Sequence, residues 1–96
     1  EVMTLDFEFL QQFLKILADS NRLRIVYFIG KERKSVSEII QSLELPQPLV
    51  SHHLRVLKEG HVLEPEREGA FIYYSLTKPQ LLGSLKELQQ IGNGED

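Results

Sequence analysis

Ninety-six residues, 42% of them apolar, suffice for one domain with a core of its own and exclude a disordered chain. No cysteine is present, which excludes disulfides, thiolate metal sites, thiol redox switching and cysteine nucleophiles. The net charge of −3 is unevenly placed: residues 1–20 carry one Lys against four acids, residues 21–60 seven Lys/Arg against four Glu, and residues 61–96 three against six.

The first predicted helix runs from Thr4 to Ala18, with apolar residues at 5, 7, 9, 10, 13, 14, 16 and 17, a stripe too broad for one contact. Asp19 or Ser20 caps a second helix, Asn21 to Ile29, which Gly30 closes. Leu23, Ile25, Val26, Tyr27, Phe28 and Ile29 make that helix apolar nearly all round, so a central, buried position is expected. After the basic surface turn Lys31 to Lys34, Ser35 with Glu38 fits a capping box, although Ser37 is an equally good cap. The short helix that follows carries Ile39, Ile40 and Leu43. Glu44 to Pro46 turns tightly, and Pro48 falls in the first turn of the next helix, where a missing N–H costs little. Two helices joined this closely form a helix-turn-helix.

In that next helix, Gln47 to Glu59, Val50, Leu54 and Leu57 fall on one stripe, and Pro48, Ser51, His52 and Arg55 fall roughly opposite. One face packs and the other is free to enter a DNA groove. Gly60 is read as the stop, a residue at positive φ. The period then changes from helical to alternating: Val62 to Arg67 and Phe71 to Leu76 flank Glu68-Gly69-Ala70 as a β-hairpin. Ile72, Tyr74 and Leu76 share one face and Phe71, Tyr73 and Ser75 the other. Pro65 cannot donate to a ladder, so its strand is expected to be the outer one or irregular there. Thr77 is read as the cap of a last helix, with Pro79 in its first turn and Leu81, Leu82, Leu85, Leu88 and Ile91 at helical spacing. Residues 1–92 are thus expected to form a single α+β, mostly helical domain, with 93–96 as a frayed tail.

Function follows from where the polar groups fall. Gln47 and Arg55 are candidates for base edges, because glutamine suits adenine and arginine suits guanine. Pro48, Ser51 and His52 lie beside them, with Ser51 and His52 suited to phosphate or base. Lys34, Lys58 and Arg67 are candidates for phosphate contact, which sets position without reading sequence. His53 lies nearer the apolar stripe and is expected to be a partly buried, hydrogen-bonded structural residue. The first helix (Leu5, Phe9, Phe13, Ile16) and the last (Leu81, Leu85, Leu88) each offer more apolar surface than one small core needs, which points to a homodimer. A two-fold dimer sets its reading helices about 34 Å apart, one turn of duplex.

The order helix, helix, helix, reading helix, hairpin, helix, together with LADSNRLRIV (Leu17 to Val26), SVSEII (Ser35 to Ile40), SHHLRVLKEGHV (Ser51 to Val62) and REGAFIYYSL (Arg67 to Leu76), resembles the ArsR/SmtB family of winged helix-turn-helix repressors. The resemblance covers roughly residues 10–90. It implies a winged helix-turn-helix with flanking dimerisation helices. It also implies a homodimer joined through its first and last helices, bound to a palindromic operator until an inducer, often a metal ion, releases it.

The chain departs from the family pattern in three places. Pro46 stands where a Ser cap often opens the reading helix. Ala70 replaces a residue that is often basic, and Glu64, Glu66 and Glu68 surround Arg67, so the wing is net acidic. Family metal sites need cysteines before the turn or Asp and His on the last helix, and Thr77 to Ile91 has neither Asp nor His. His52 and His53 are adjacent and diverge on a helix, while His61 lies beyond its end. No metal or cofactor is therefore expected, and the inducer, if there is one, is a small organic molecule or a protein. No Gly-flanked nucleophile, phosphate loop or close carboxylate pair supports an enzyme. No membrane partner is expected and the location expected is cytoplasmic, since no apolar run is long enough to cross a bilayer and no leader pattern occurs. The rival reading is a winged-helix module that docks proteins without binding DNA.

Overall fold

The computed structural model describes residues 4–94. In chain order the elements are α1 (Phe7–Leu17), α2 (Ser20–Ile29), β1 (Lys34–Ser35), α3 (Val36–Leu43), α4 (Gln47–Glu59), β2 (Leu63–Glu68), β3 (Phe71–Leu76) and α5 (Leu81–Gly92). The three strands form one antiparallel sheet in the order β1-β3-β2. No helix among the described residues is long and apolar enough to cross a membrane.

Local chemistry sets most boundaries. Asp6 caps α1 by accepting the Phe9 N–H at 3.1 Å, so the helix starts three residues later than its apolar pattern suggests. Between the two expected caps of α2, Asp19 is the one used: its Oδ1 accepts from the N–H groups of Asn21 at 2.9 Å and Arg22 at 3.0 Å. Gly30 closes α2 at φ 60° and ψ −134°, a region only glycine enters without strain. Ser35 and not Ser37 caps α3, in a reciprocal box with Glu38 at 2.8 and 3.1 Å. β2 is an outer strand, as Pro65 requires, and Pro65 lies opposite Tyr74.

Five details differ from expectation, each for a physical reason. Gly60 is not the left-handed stop of α4. Its φ is −84°, and His61 takes the positive φ of 61°. The N–H groups of His61 and Val62 bond back to the carbonyls of Lys58 at 3.0 Å and Leu57 at 2.9 Å, a Schellman end with histidine in the left-handed position. Gly60 instead lies close against α1: a Cβ there would stand 2.5 Å from Ile16 Cδ1, so that side chain would have to shift to admit one. The wing turn has two residues, not three: Glu68 pairs with Phe71, and Gly69 at φ 61° closes the hairpin.

Thr77 does not cap α5. Its hydroxyl donates to the carbonyls of His61 at 2.6 Å and Val62 at 3.2 Å, tying the end of β3 to the start of β2. α2 is buried on one side only, through Ile25, Val26 and Ile29, and leaves Leu23 and Tyr27 exposed. β1 was not expected, because two residues are too few to show a period; it pairs Lys34 with Tyr74 and Ser35 with Tyr73.

The core is built from Ile25, Val26, Ile29, Ile39, Val50, Leu54, Leu57, Leu63 and Leu76, drawn from α2, α3, α4 and both hairpin strands. The terminal helices contribute little to it. α1 buries only Leu17 fully, and α5 buries no residue fully. At the C-terminal end, Asn93 and Gly94 still donate to the carbonyls of Gln89 and Ile91. The rest of the expected tail, Glu95 and Asp96, lies outside the described residues.

Candidate nucleic-acid interface

α4 divides into two faces. Val50, His53, Leu54 and Leu57 are buried, while Gln47, Pro48, Ser51, His52, Arg55 and Lys58 are exposed. Gln47, Ser51, Arg55 and Lys58 line one groove with Ser37 and Val36 of α3 and with Ala70 and Ile72 of the wing. His52 stands beside it, its Nδ1 3.4 Å from Arg55 Nη2. No side chain caps the start of α4. A groove of this shape, floored by a helix and walled by a hairpin, presents two amide or hydroxyl groups and two cations along one line.

Four of the eight residues singled out from the sequence line the groove, Pro48 and His52 are exposed on the same helix without lining it, and two stand on other elements. Lys34 is half-buried on β1, with Nζ 3.4 Å from Glu32 Oε1 and 5.3 Å from the centre of the Phe28 ring. Arg67 is exposed on β2 opposite Ile72, hence on the groove side of the wing without lining the groove itself.

The acidity of the wing is organised by a residue that sequence reasoning missed. Arg33 pairs with Glu66 at 2.9 Å and with Glu68 at 2.9 Å, and its guanidinium lies 4.0 Å above the Tyr73 ring. Glu66 and Glu68 register with Tyr73 and Phe71, so this cluster occupies the face opposite Arg67. Arg33 also holds the Glu68 carboxyl below the usual carboxylate range. The basic segment 21–60 is therefore partly consumed inside the protein, and Arg55 and Lys58 are the cations it leaves in the groove.

On the face of α4 away from the groove, His53 is 5% exposed. Its Nδ1 lies 3.2 Å from Arg22 Nη1 and its Nε2 4.0 Å from Asp19 Oδ1. Burial pushes the imidazole below its ordinary value of 6.5, an effect the Asp19 carboxylate offsets in part. Asp19 is itself held low, chiefly by the Arg22 N–H, and Glu38 is held low by the Ser35 N–H.

These shifts predict acid sensitivity in two stages. Unfolded His53 takes a proton below its ordinary 6.5 while folded His53 resists it, so stability present above that value is lost as pH falls through the folded value. The lowered carboxylates act in the same direction further down, holding stability above their ordinary values near 4 that is lost below. Urea denaturation at about pH 7, 5.5 and 3.5 checks this. His53→Asn is expected to flatten the upper stage alone, and an unchanged upper stage in that variant would disprove the assignment.

The residues expected at a dimer interface separate into two groups. Phe13, Leu81 and Leu85 pack against the core, whereas Leu5, Phe9 and Leu88 are 52%, 66% and 54% exposed. Phe7, Tyr27 and Ile91 add exposed apolar surface beside them that sequence reasoning did not assign to an interface.

Similarity to known proteins follows the same outline. The profile described as bacterial regulatory protein, arsR family, matches residues 19–60, the three helices α2 to α4. The transcriptional repressor PagR of Bacillus anthracis is 42% identical over 81 residues, covering 83% of this chain and 81% of that protein. Its crystal structure aligns with a TM-score of 0.73 over 85% of this chain and 94% of that one. The HTH-type transcriptional repressor SmtB of Mycobacterium tuberculosis is 37% identical over 70 residues, 73% of this chain and 52% of that protein, so the chain spans about half of that relative's length. A homodimeric winged helix-turn-helix DNA-binding domain of Mycobacterium bovis, Mb0332, shares the fold at a TM-score of 0.79 and 21% identity over 97% of this chain and 91% of that one. With the elements in this order and a repressor of such identity covered over most of its length, the chain belongs to the ArsR family of bacterial regulatory proteins, on a winged helix-turn-helix fold.

Proposed function

We propose that the protein is a sequence-specific transcriptional repressor that binds a palindromic operator as a homodimer. The observation that carries this reading is the two-faced α4: Gln47, Ser51, Arg55 and Lys58 line one open groove while Val50, His53, Leu54 and Leu57 anchor the helix from behind. Gln47 and Arg55 read base edges, Ser51 and His52 serve base or phosphate, and Lys58 and Arg67 hold the backbone. Pro48 shapes the first turn of the helix. Lys34, tied to Glu32 over Phe28, has the weakest claim to phosphate.

Dimerisation rests on the terminal helices and the residue before the α1 cap, where exposed Leu5, Phe9 and Leu88 are left uncovered by a small core. An inducer, if the protein has one, is a small organic molecule or a protein and not a metal ion, since the chain has no cysteine and its last helix no Asp or His.

Selection of bound duplexes from a random pool tests the reading. An inverted repeat with half-site centres about one helical turn apart is the expected product. A single unrepeated site would overturn the paired geometry. Failure to enrich any duplex would favour the protein-docking alternative.

A further inference from the structure

α4 is held from behind mainly by apolar contact, which is non-directional, so a directional polar contact adds definition to its roll. Among the described residues one side-chain hydrogen bond joins α4 to another element, the 3.2 Å contact between His53 Nδ1 and Arg22 Nη1. Arg22 has further partners. Its Nε donates to the Ile16 carbonyl and its Nη2 to the Lys15 carbonyl at 3.4 Å, both in the last turn of α1.

The last carbonyls of a helix lack intrahelical partners and carry partial negative charge, so a guanidinium is a fitting cap. Ala18 and Asp19 N–H groups take the Leu14 and Leu17 carbonyls, and Arg22 takes the one between them at Ile16. One planar fork thus grips the end of α1 and the back of α4 together.

We propose that Arg22 is a positioning residue that fixes the roll of the reading helix relative to α1, acting through the neutral ring of His53. The inference rests on the DNA-binding reading and deepens it. An operator-bound dimer needs each α4 set at a defined angle to the dimer axis, and α1 belongs to the surface on which that axis lies. Arg22 itself is on the far side of α4 from the groove and touches no nucleotide.

The geometry also makes the tie sensitive to acid. Nδ1 must be the acceptor of the Arg22 N–H, which places the ring proton on Nε2, toward Asp19. A second proton on Nδ1 sets two donors against each other and breaks the contact. The titratable or charged groups facing the ring are Asp19, which caps α2, Arg22 of α2 and His52 from its own helix, and α1 presents backbone carbonyls.

Operator affinity of the full chain, measured by fluorescence anisotropy on the selected inverted repeat at fixed ionic strength between about pH 7.5 and 5.5, tests the proposal. Arg22→Lys keeps the charge but cannot fork, and is expected to weaken binding about tenfold or more. Its salt dependence and base preference stay those of the wild type, because every group that meets a nucleotide is still present. His53→Asn keeps an acceptor near the Nδ1 position and does not titrate, so it binds within about threefold of wild type near neutrality and lacks the acid-side fall of the wild type. His53→Leu binds as weakly as Arg22→Lys at every pH. His52 and His61 are present unchanged in both proteins, so the difference between those two profiles isolates His53.

That comparison stands even if Arg22→Lys does not fold. Wild-type affinity in a folded Arg22→Lys protein, or superimposable pH profiles for His53→Asn and wild type, overturns the proposal. Binding that depends on Arg55 but not on Arg22 sinks the tie alone. Absence of any operator binding by the wild type sinks the DNA reading and the tie with it.

Discussion

Leu57→Ala is expected to cost about 2–5 kcal/mol of folding stability, the largest effect of any single truncation on α4. Leu57 is fully buried on the inner face of that helix, and its carbonyl also receives the Val62 N–H that ends it. Removing the side chain opens a cavity between α4 and the helices behind it and leaves its neighbours without partners. Urea denaturation at a fixed protomer concentration gives the value, because a dimer's stability depends on concentration. A loss below about 1 kcal/mol would mean that the back of the reading helix is not a packed core. The same truncation loosens the support of the groove, so operator affinity is expected to fall although no group that meets a nucleotide is altered.

The second large effect is expected at the front of the same helix. Arg55→Ala should cost about 1–3 kcal/mol of operator affinity and relax selectivity at one base position, with folding stability unchanged. Arg55 is exposed, lines the groove at mid-helix, and makes its one side-chain contact with His52, at 3.4 Å. Nothing in the protein therefore depends on it for packing. Lys58→Ala is the companion measurement: removing a cation that pairs with phosphate weakens binding alike on all sequences and lowers the salt slope by about one. Anisotropy titrations over a range of salt on operator and scrambled duplexes separate the two outcomes. An Arg55→Ala protein that keeps wild-type affinity and selectivity would remove Arg55 from the reading set, and the proposed division between base and phosphate contacts would have to be redrawn.

Both predictions turn on how a small chain spends its apolar residues. The core sits in α2 to α4 and the hairpin, the part that carries the proposed reading surface. α1 and α5 give it one fully buried side chain between them, Leu17, and keep the rest of their apolar stripes on the outside. Phe9, Tyr27 and Ile91 are left exposed on a domain of this size, which is the basis of the proposed dimer.

Much of this was legible in the chain itself. The caps at Asp19 and Ser35, each one of two candidates, the closing Gly30, the two faces of α4 and the strand that Pro65 marked as outer or irregular all depend on residues within a few positions of one another. Local sterics and hydrogen bonding act over that range whatever the rest of the chain does. The groove residues Gln47, Ser51, Arg55 and Lys58 were legible for the same reason, since helical period alone puts them on one side. Tertiary structure decided what distant residues do to each other. Ile16 packs into the space beside Gly60, and Arg33 gathers Glu66 and Glu68 from across the sheet. β1 exists only because β3 is there to pair with it, and Arg22 meets His53 across 31 positions of sequence. No periodicity encodes such meetings, because they arise only when packing of the apolar core has already brought the elements together.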